Sequence, residues 1–177
     1  MRRLLSALLL IGSLSSHLAY GCGDKLLVLG RPLMFTSRPA AILAYAPPGS
    51  SLQLLLSATQ WTSAMTKGKH HLQVVQTPEQ LSQILKTERF DVILAGLSDA
   101  AALRSQLAAT SYLAVVVPVV DSGSRDAFRS AEREYSVAMK GVAKSGDYLS
   151  AIARAVDLHD RRVEAAAREK KNRGKNS

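Results

Sequence analysis

Two aspartates and a lysine, Asp99, Asp121 and Lys140, each fall just past the end of a short apolar run, with Ser98 and Ser122 beside the aspartates. In an α/β fold such positions border one crevice, and a divalent cation there needs two or more oxygens converging from fixed elements. Both aspartates also fit ordinary local roles, Asp99 as a helix cap and Asp121 as the opening of a turn. Asp91 sits at the opposite end of its run and cannot join them. His70 and His71 are adjacent, so their rings point apart in a turn, and no third His, Cys or carboxylate pattern supports zinc. His159 falls on the polar side of a helix with no evident partner. The segment Ala46-Pro47-Pro48-Gly49-Ser50-Ser51 has one glycine where dinucleotide binding wants three. No nucleophile elbow or Cys-His pairing is present. The sequence therefore predicts no catalytic residue, no cofactor and no metal, with Asp99, Asp121 and Lys140 as crevice candidates.

The elements that must position these residues alternate. Ala40 to Ala46 reads as a buried strand, and Ser50 or Ser51 caps a helix running to about Lys67. On that helix Leu52, Leu55, Leu56 and Thr59 share a side, and Leu54, Ala58, Trp61 and Met65 widen the apolar arc. Trp61 is expected in the core. Leu72 to Gln76 is a second strand, and Thr77-Pro78-Glu79-Gln80 opens a helix with a capping box and a proline where no amide is missed. Asp91 to Ala95 is a third strand, followed by a helix that Ser98 or Asp99 caps. Leu113 to Val117 is a fourth, apolar as a strand covered on both faces should be, with Pro118 expected to end it. Ser124 to Glu134 is a short helix, Ser136 to Met139 a fifth strand, and the last helix starts near Ser145. Five such units predict a single α/β domain, a three-layer doubly wound fold around a mainly parallel five-stranded sheet. Lys25 to Leu29 is expected to add an N-terminal strand.

Composition limits the rest. The chain has 177 residues, 47% of them hydrophobic and 5% aromatic, which suits an aliphatic interior. Met1-Arg2-Arg3, the apolar run Leu4 to Leu14 and Ala19-Tyr20-Gly21 form a secretory signal pattern, with a run too short for the roughly 20 residues of a membrane span. Cleavage after Gly21 makes Cys22 the N-terminus and a candidate for acylation, although Tyr20 departs from the small residues that lipoprotein processing prefers. Cys22 is the only cysteine, so no intramolecular disulfide supports the fold. The formal charge of +9 is concentrated at the ends. Arg161 to Ser177 holds seven Lys or Arg against two Glu, and Cys22 to Asp160 carries only +2. The predicted organisation is thus 1–21 signal peptide, 22–37 N-terminal strand and connection, 38–160 α/β domain, and 161–177 basic tail, a helix extension that then becomes disordered. The tail lacks aromatics to stack on bases, so nucleic acid is not an expected partner, whereas an anionic envelope surface is compatible with it.

From about Arg38 to Leu158 the order of elements and the runs FDVILAGLSDAAAL, AVVVPVV and YSVAMKG resemble the receiver domain of two-component response regulators. The resemblance implies a flavodoxin-like strand order 2-1-3-4-5. It also implies an aspartate phosphoacceptor after the third strand, magnesium-binding acids after the first, a hydroxyl after the fourth and a lysine ending the fifth. In this chain the acceptor position falls on Gly96, the first strand is followed by Pro47-Pro48-Gly49, and the fourth by Pro118-Val119. Lys140 alone matches.

The resemblance further implies a partner surface on the fourth helix, fifth strand and fifth helix, which places Phe128, Tyr135 and Tyr148 there. The expected function is an exported, catalytically inactive receiver-like domain, periplasmic or secreted, or tethered through Cys22. It would act as a binding or scaffold module toward a protein partner or a second copy. The alternative is a periplasmic small-ligand sensor using the crevice at the strand ends. N-terminal mass spectrometry of protein recovered from its envelope fraction checks the export reading: cleavage near Gly21 is expected, and an intact Met1 on a cytosolic protein excludes it.

Overall fold

The structure is a computed structural model that describes residues 38–121 and 123–174. The signal pattern, Cys22, the Lys25–Leu29 strand, Ser122 and residues 175–177 lie outside the described residues. The order of elements is β1 (Ala41–Tyr45), α1 (Ser51–Ser57), α2 (Thr59–Gly68), β2 (His71–Val75), α3 (Pro78–Thr87), β3 (Val92–Gly96), α4 (Leu97–Ala108), β4 (Val115–Val120), α5 (Arg125–Tyr135), β5 (Met139–Lys140) and α6 (Ser145–Arg173). The five strands form one sheet in the order β2-β1-β3-β4-β5, every pair parallel.

The central strands are apolar on both faces because helices cover both. Ile42, Ala44, Val92, Leu94, Val115 and Val117 face α1, α2 and α6, where Leu52, Leu55, Trp61, Tyr148 and Ile152 are buried. Leu43, Ile93, Ala95 and Val116 face α3 and α4, meeting Leu81, Ile84, Leu103 and Leu107. This is the three-layer arrangement that parallel strands require, since each crossover helix must return over one face.

Three local expectations are corrected. The helix after β1 is not continuous: Ala58 has extended backbone (ψ 136°) and serves as the C-cap of α1 and the N-cap of α2. The break resets the helical phase, so Trp61, Ala64 and Met65 turn inward while Leu54 is left 74% exposed. Pro118 does not end β4 but lies inside it, paired with Ala95. The Val115 amide donates to the Asp91 carbonyl on the β3 side, and alternation turns the nitrogen of residue 118 toward β5. β5 begins only opposite Val119, so the missing N–H faces a place where no ladder partner is required. Finally, Gly96 rather than Ser98 or Asp99 occupies the N-cap of α4, which follows β3 without a connecting loop. By contrast the Thr77–Gln80 capping box forms as its spacing dictates.

The last helix closes the fold. The Tyr148 ring meets Trp61 edge-on at 5.4 Å between centroids, joining α6 to α2. Its hydroxyl accepts from the Ala143 amide at 2.9 Å and donates to the Gly141 carbonyl at 3.2 Å, fixing the connection that leaves β5. The helix then continues through Arg173, 29 residues in all, so the basic tail is helical as far as it is described.

Replacing Tyr148 with Phe leaves a partly buried amide and carbonyl without this partner and is expected to cost about 1 kcal/mol in urea unfolding. Tyr148→Ala, which also opens a cavity, is expected to cost about 3–5 kcal/mol. Leu54→Ala is expected within about 0.5 kcal/mol of the parent, as befits an exposed position.

Candidate functional site

The strands end in a rim built without the acids that phosphoryl chemistry would use. After β1 the chain makes a tight turn in which the Ser50 amide donates to the Pro47 carbonyl at 3.1 Å. Pro48 supplies a fixed φ and Gly49 the left-handed conformation (φ 78°) at the next position, the chemistry of a type II turn. Ser50 then caps α1 by accepting from the Gln53 amide, and Gln53 Oε1 accepts from the Gly49 amide at 2.9 Å. The segment is thus committed to turning the chain and starting a helix.

At the end of β3, Gly96 has ordinary extended backbone (φ −57°, ψ 153°), so its lack of a side chain is not demanded by conformation. A Cβ there would lie 3.3 Å from Asp99 Oδ2 and 3.7 Å from Ser98 Oγ. The Asp99 carboxylate, in the first turn of α4, therefore leans back over the strand end, where it also favours the positive end of the helix. Burial, followed by the Asp99 and Glu79 charges, pushes the Tyr45 phenol above its ordinary range. Asp121 follows β4 and is exposed. Lys140 ends β5, but its ammonium lies 4.9 Å from the centroid of the Phe128 ring, engaged by α5. No hydrogen bond or ion pair joins Asp99, Asp121 and Lys140, and no group of three or more His, Cys, Asp or Glu among the described residues is placed to hold a metal.

The surface expected from Phe128, Tyr135 and Tyr148 is also corrected. Tyr148 is 1% exposed and Tyr135 6%, each buried because its helix turns that position toward the sheet. Arg104 covers the Tyr135 ring at 5.0 Å. Phe128 is partly buried against Val120, Ala131 and Ala138. What this side of the domain presents outward is charge: a shallow concavity between α5 and α6 is lined by Asp126, Arg129, Glu132, Arg133 and Arg154.

The densest polar network lies at the opposite end of the strands, where the sequence offered little signal. Arg38 holds Asp91 through two hydrogen bonds of 3.0 Å and Asp160 through one of 2.6 Å. The Asp91 carboxylate also accepts from the Ala41 amide at 2.8 Å. His159 is not solitary: its Nδ1 lies 3.4 Å from Asp91 Oδ1 and 3.3 Å from Asp160 Oδ1. Nor are the paired histidines both solvated. His70 is half-buried and accepts from the Ala40 amide at 3.1 Å, while His71 opens β2. Apart from that between the adjacent His159 and Asp160, these contacts span from 30 to 122 positions in sequence, which no local pattern reveals. Their geometry joins β1, β3 and α6 and reads as structural.

Burial would raise the Asp91 carboxyl, but the Arg38 guanidinium and the Ala41 amide more than offset it, and the group ionises below the usual carboxylate range. Asp160 is held low mainly by Arg38. A carboxyl with a depressed folded pKa stabilises the fold above its unfolded value, near about 4, and loses that contribution as pH falls through the folded value. The contribution of these two carboxyls to stability, read by urea unfolding as the difference between parent and variant, is therefore expected to be constant at neutral pH and to decline below about pH 4. Asp91→Asn should cost about 2 kcal/mol at pH 7 and flatten that decline.

The sheet order and these element positions resemble a crystal structure of NtrX from Brucella abortus in complex with ADP. The TM-score is 0.57 at 16% sequence identity, over 76% of this chain and 30% of that one. No protein-family profile matches the chain, and no curated protein matches it. The strand order, the all-parallel pairing and this likeness together give the chain a receiver-like α/β fold.

Proposed function

We propose that this chain is an exported receiver-like module that carries out no phosphoryl transfer and works by binding another macromolecule through the side formed by α5, β5 and the sheet-bound part of α6. The observation that carries the reading is the rim. Gly96 stands at the acceptor position, a proline-glycine turn replaces the acids after β1, and the one matching lysine lies over Phe128. A phosphoryl group is doubly charged and needs a carboxylate to accept it and a cation to neutralise it. Asp99 offers a single carboxylate from the wrong position, one turn into α4. The leader pattern in the first 21 residues supports export, away from cytoplasmic kinases.

The crevice alternative, a small-ligand sensor, has less behind it, because Asp99, Asp121 and Lys140 at the strand ends are not drawn together: Asp99 leans over Gly96, Asp121 is exposed and Lys140 lies against Phe128. The test is incubation of the full chain with acetyl phosphate and magnesium, read by intact-mass spectrometry. No mass change is expected; gain of one phosphoryl group, mapped to Asp99 or Asp121, overturns the reading.

A further inference from the structure

Eleven arginines lie among the described residues, and eight of them are engaged. Arg38 holds Asp91 and Asp160, Arg89 lies over Tyr112, Arg104 covers Tyr135, and Arg162 donates to the Ala114 carbonyl. Arg154 pairs with Glu132, and Arg161, Arg168 and Arg173 pair with Asp157, Glu164 and Glu169. The remaining three, Arg125, Arg129 and Arg133, make no hydrogen bond, ion pair or ring contact with a described residue, and all three lie on α5 at successive four-residue steps. They are exposed on the face opposite buried Ala131.

That spacing runs against helix electrostatics. Like charges at i and i+4 destabilise a helix, and α5 contains two such pairs in succession. The exposed part of α6 does the reverse: each of its three paired arginines sits four residues after an acid, the favourable orientation. The acids near the ridge form no ion pair with it. Glu132 is paired with Arg154 and Glu134 with Arg104, leaving Asp126 in the first turn. So three arginines of α6 are paired within their own helix, while α5 carries three guanidinium groups about one turn apart that form no ion pair with a described residue.

We infer that the outer face of α5 docks an acidic polypeptide segment, one carrying carboxylates spaced at about a helical turn. This rests on the binding-module reading and names the partner's chemistry. Each guanidinium presents a planar fork that matches a carboxylate bidentately, and a ladder of carboxylates in register relieves the repulsion along the ridge. A discrete polypeptide fits better than a uniformly anionic sheet of lipid. The ridge carries no exposed aromatic or long aliphatic side chain to insert, Phe128 being held under Lys140, and Asp126 beside it would meet the sheet's own charge.

The test uses the full chain and a labelled synthetic helical peptide with glutamate at every fourth position, followed by fluorescence anisotropy across a salt series. The parent is expected to bind the peptide with affinity that falls as salt rises. Combining Arg125→Gln, Arg129→Gln and Arg133→Gln should weaken binding roughly tenfold or more and flatten the salt dependence. The control Arg161→Gln with Arg168→Gln should change it less than about twofold. The ridge variant should melt no lower than the parent, since it removes repulsion rather than contacts. The inference is overturned if the parent ignores the peptide, if both variants lose binding equally, or if the ridge is required only for phosphatidylglycerol vesicles. Any of these leaves the phosphoryl-transfer result standing, and a phosphoryl mass gain would overturn the inactive-module reading without altering the peptide result.

Discussion

The contact between Trp61 and Tyr148 is the constraint on which the arrangement of this domain turns. The two rings meet edge-on, the geometry in which the positive edge of one aromatic faces the negative face of the other. One ring belongs to α2 and the other to the first turn of α6, so the pair clamps helices from opposite ends of the chain onto the same sheet face. The phenol hydroxyl extends the clamp to the backbone at Gly141 and Ala143, tying the departure from β5 to the helix that follows. The break at Ala58 belongs to the same logic. A continuous helix would keep one phase from Ser51 onward, whereas the reset brings Trp61 to where Tyr148 can reach it. The indole N–H is left without a hydrogen-bond partner among the described residues, a cost the packing must exceed.

The two ends of the strands divide their labour. At one, Arg38, Asp91, His159 and Asp160 bring four polar side chains from three parts of the chain into a network that closes on the Ala41 amide. At the other, where a receiver-like fold holds its crevice, the polar groups do not converge. Asp99 leans over Gly96, Lys140 lies against Phe128 and Asp121 faces solvent. The convergence of charge occurs at the amino ends of the strands, where it ties β1, β3 and α6 together.

Charge on the outside follows a comparable division. The long exposed stretch of α6 is strongly basic in sequence, yet Arg161, Arg168 and Arg173 each find an acid one turn earlier. On α5 Arg129 has arginines four residues to either side, and Asp126 and Glu132, three residues away, form no ion pair with it. The same residue type therefore has opposite meaning on neighbouring helices, and the spacing of acids around it decides which.

Much of this was legible in the residues alone. The alternation of apolar runs with helical periods specified five parallel strands and their crossovers, because a strand buried on both faces must be apolar throughout. Thr77-Pro78-Glu79-Gln80 and the Pro47-Pro48-Gly49-Ser50 turn formed as written, since capping and turn chemistry act over three or four residues. The absence of acids after β1 and at Gly96 was likewise a property of the sequence. Tertiary structure decided whatever depended on distance along the chain. It buried Tyr135 and Tyr148, which a surface reading had placed outside, gave His159 and Arg38 their carboxylates, and admitted Pro118 to a strand because β5 begins one residue too late to need its amide. Local signals report the chain's covalent neighbours, whereas these outcomes depend on which distant segment packs against a side chain, and only the folded layers fix that.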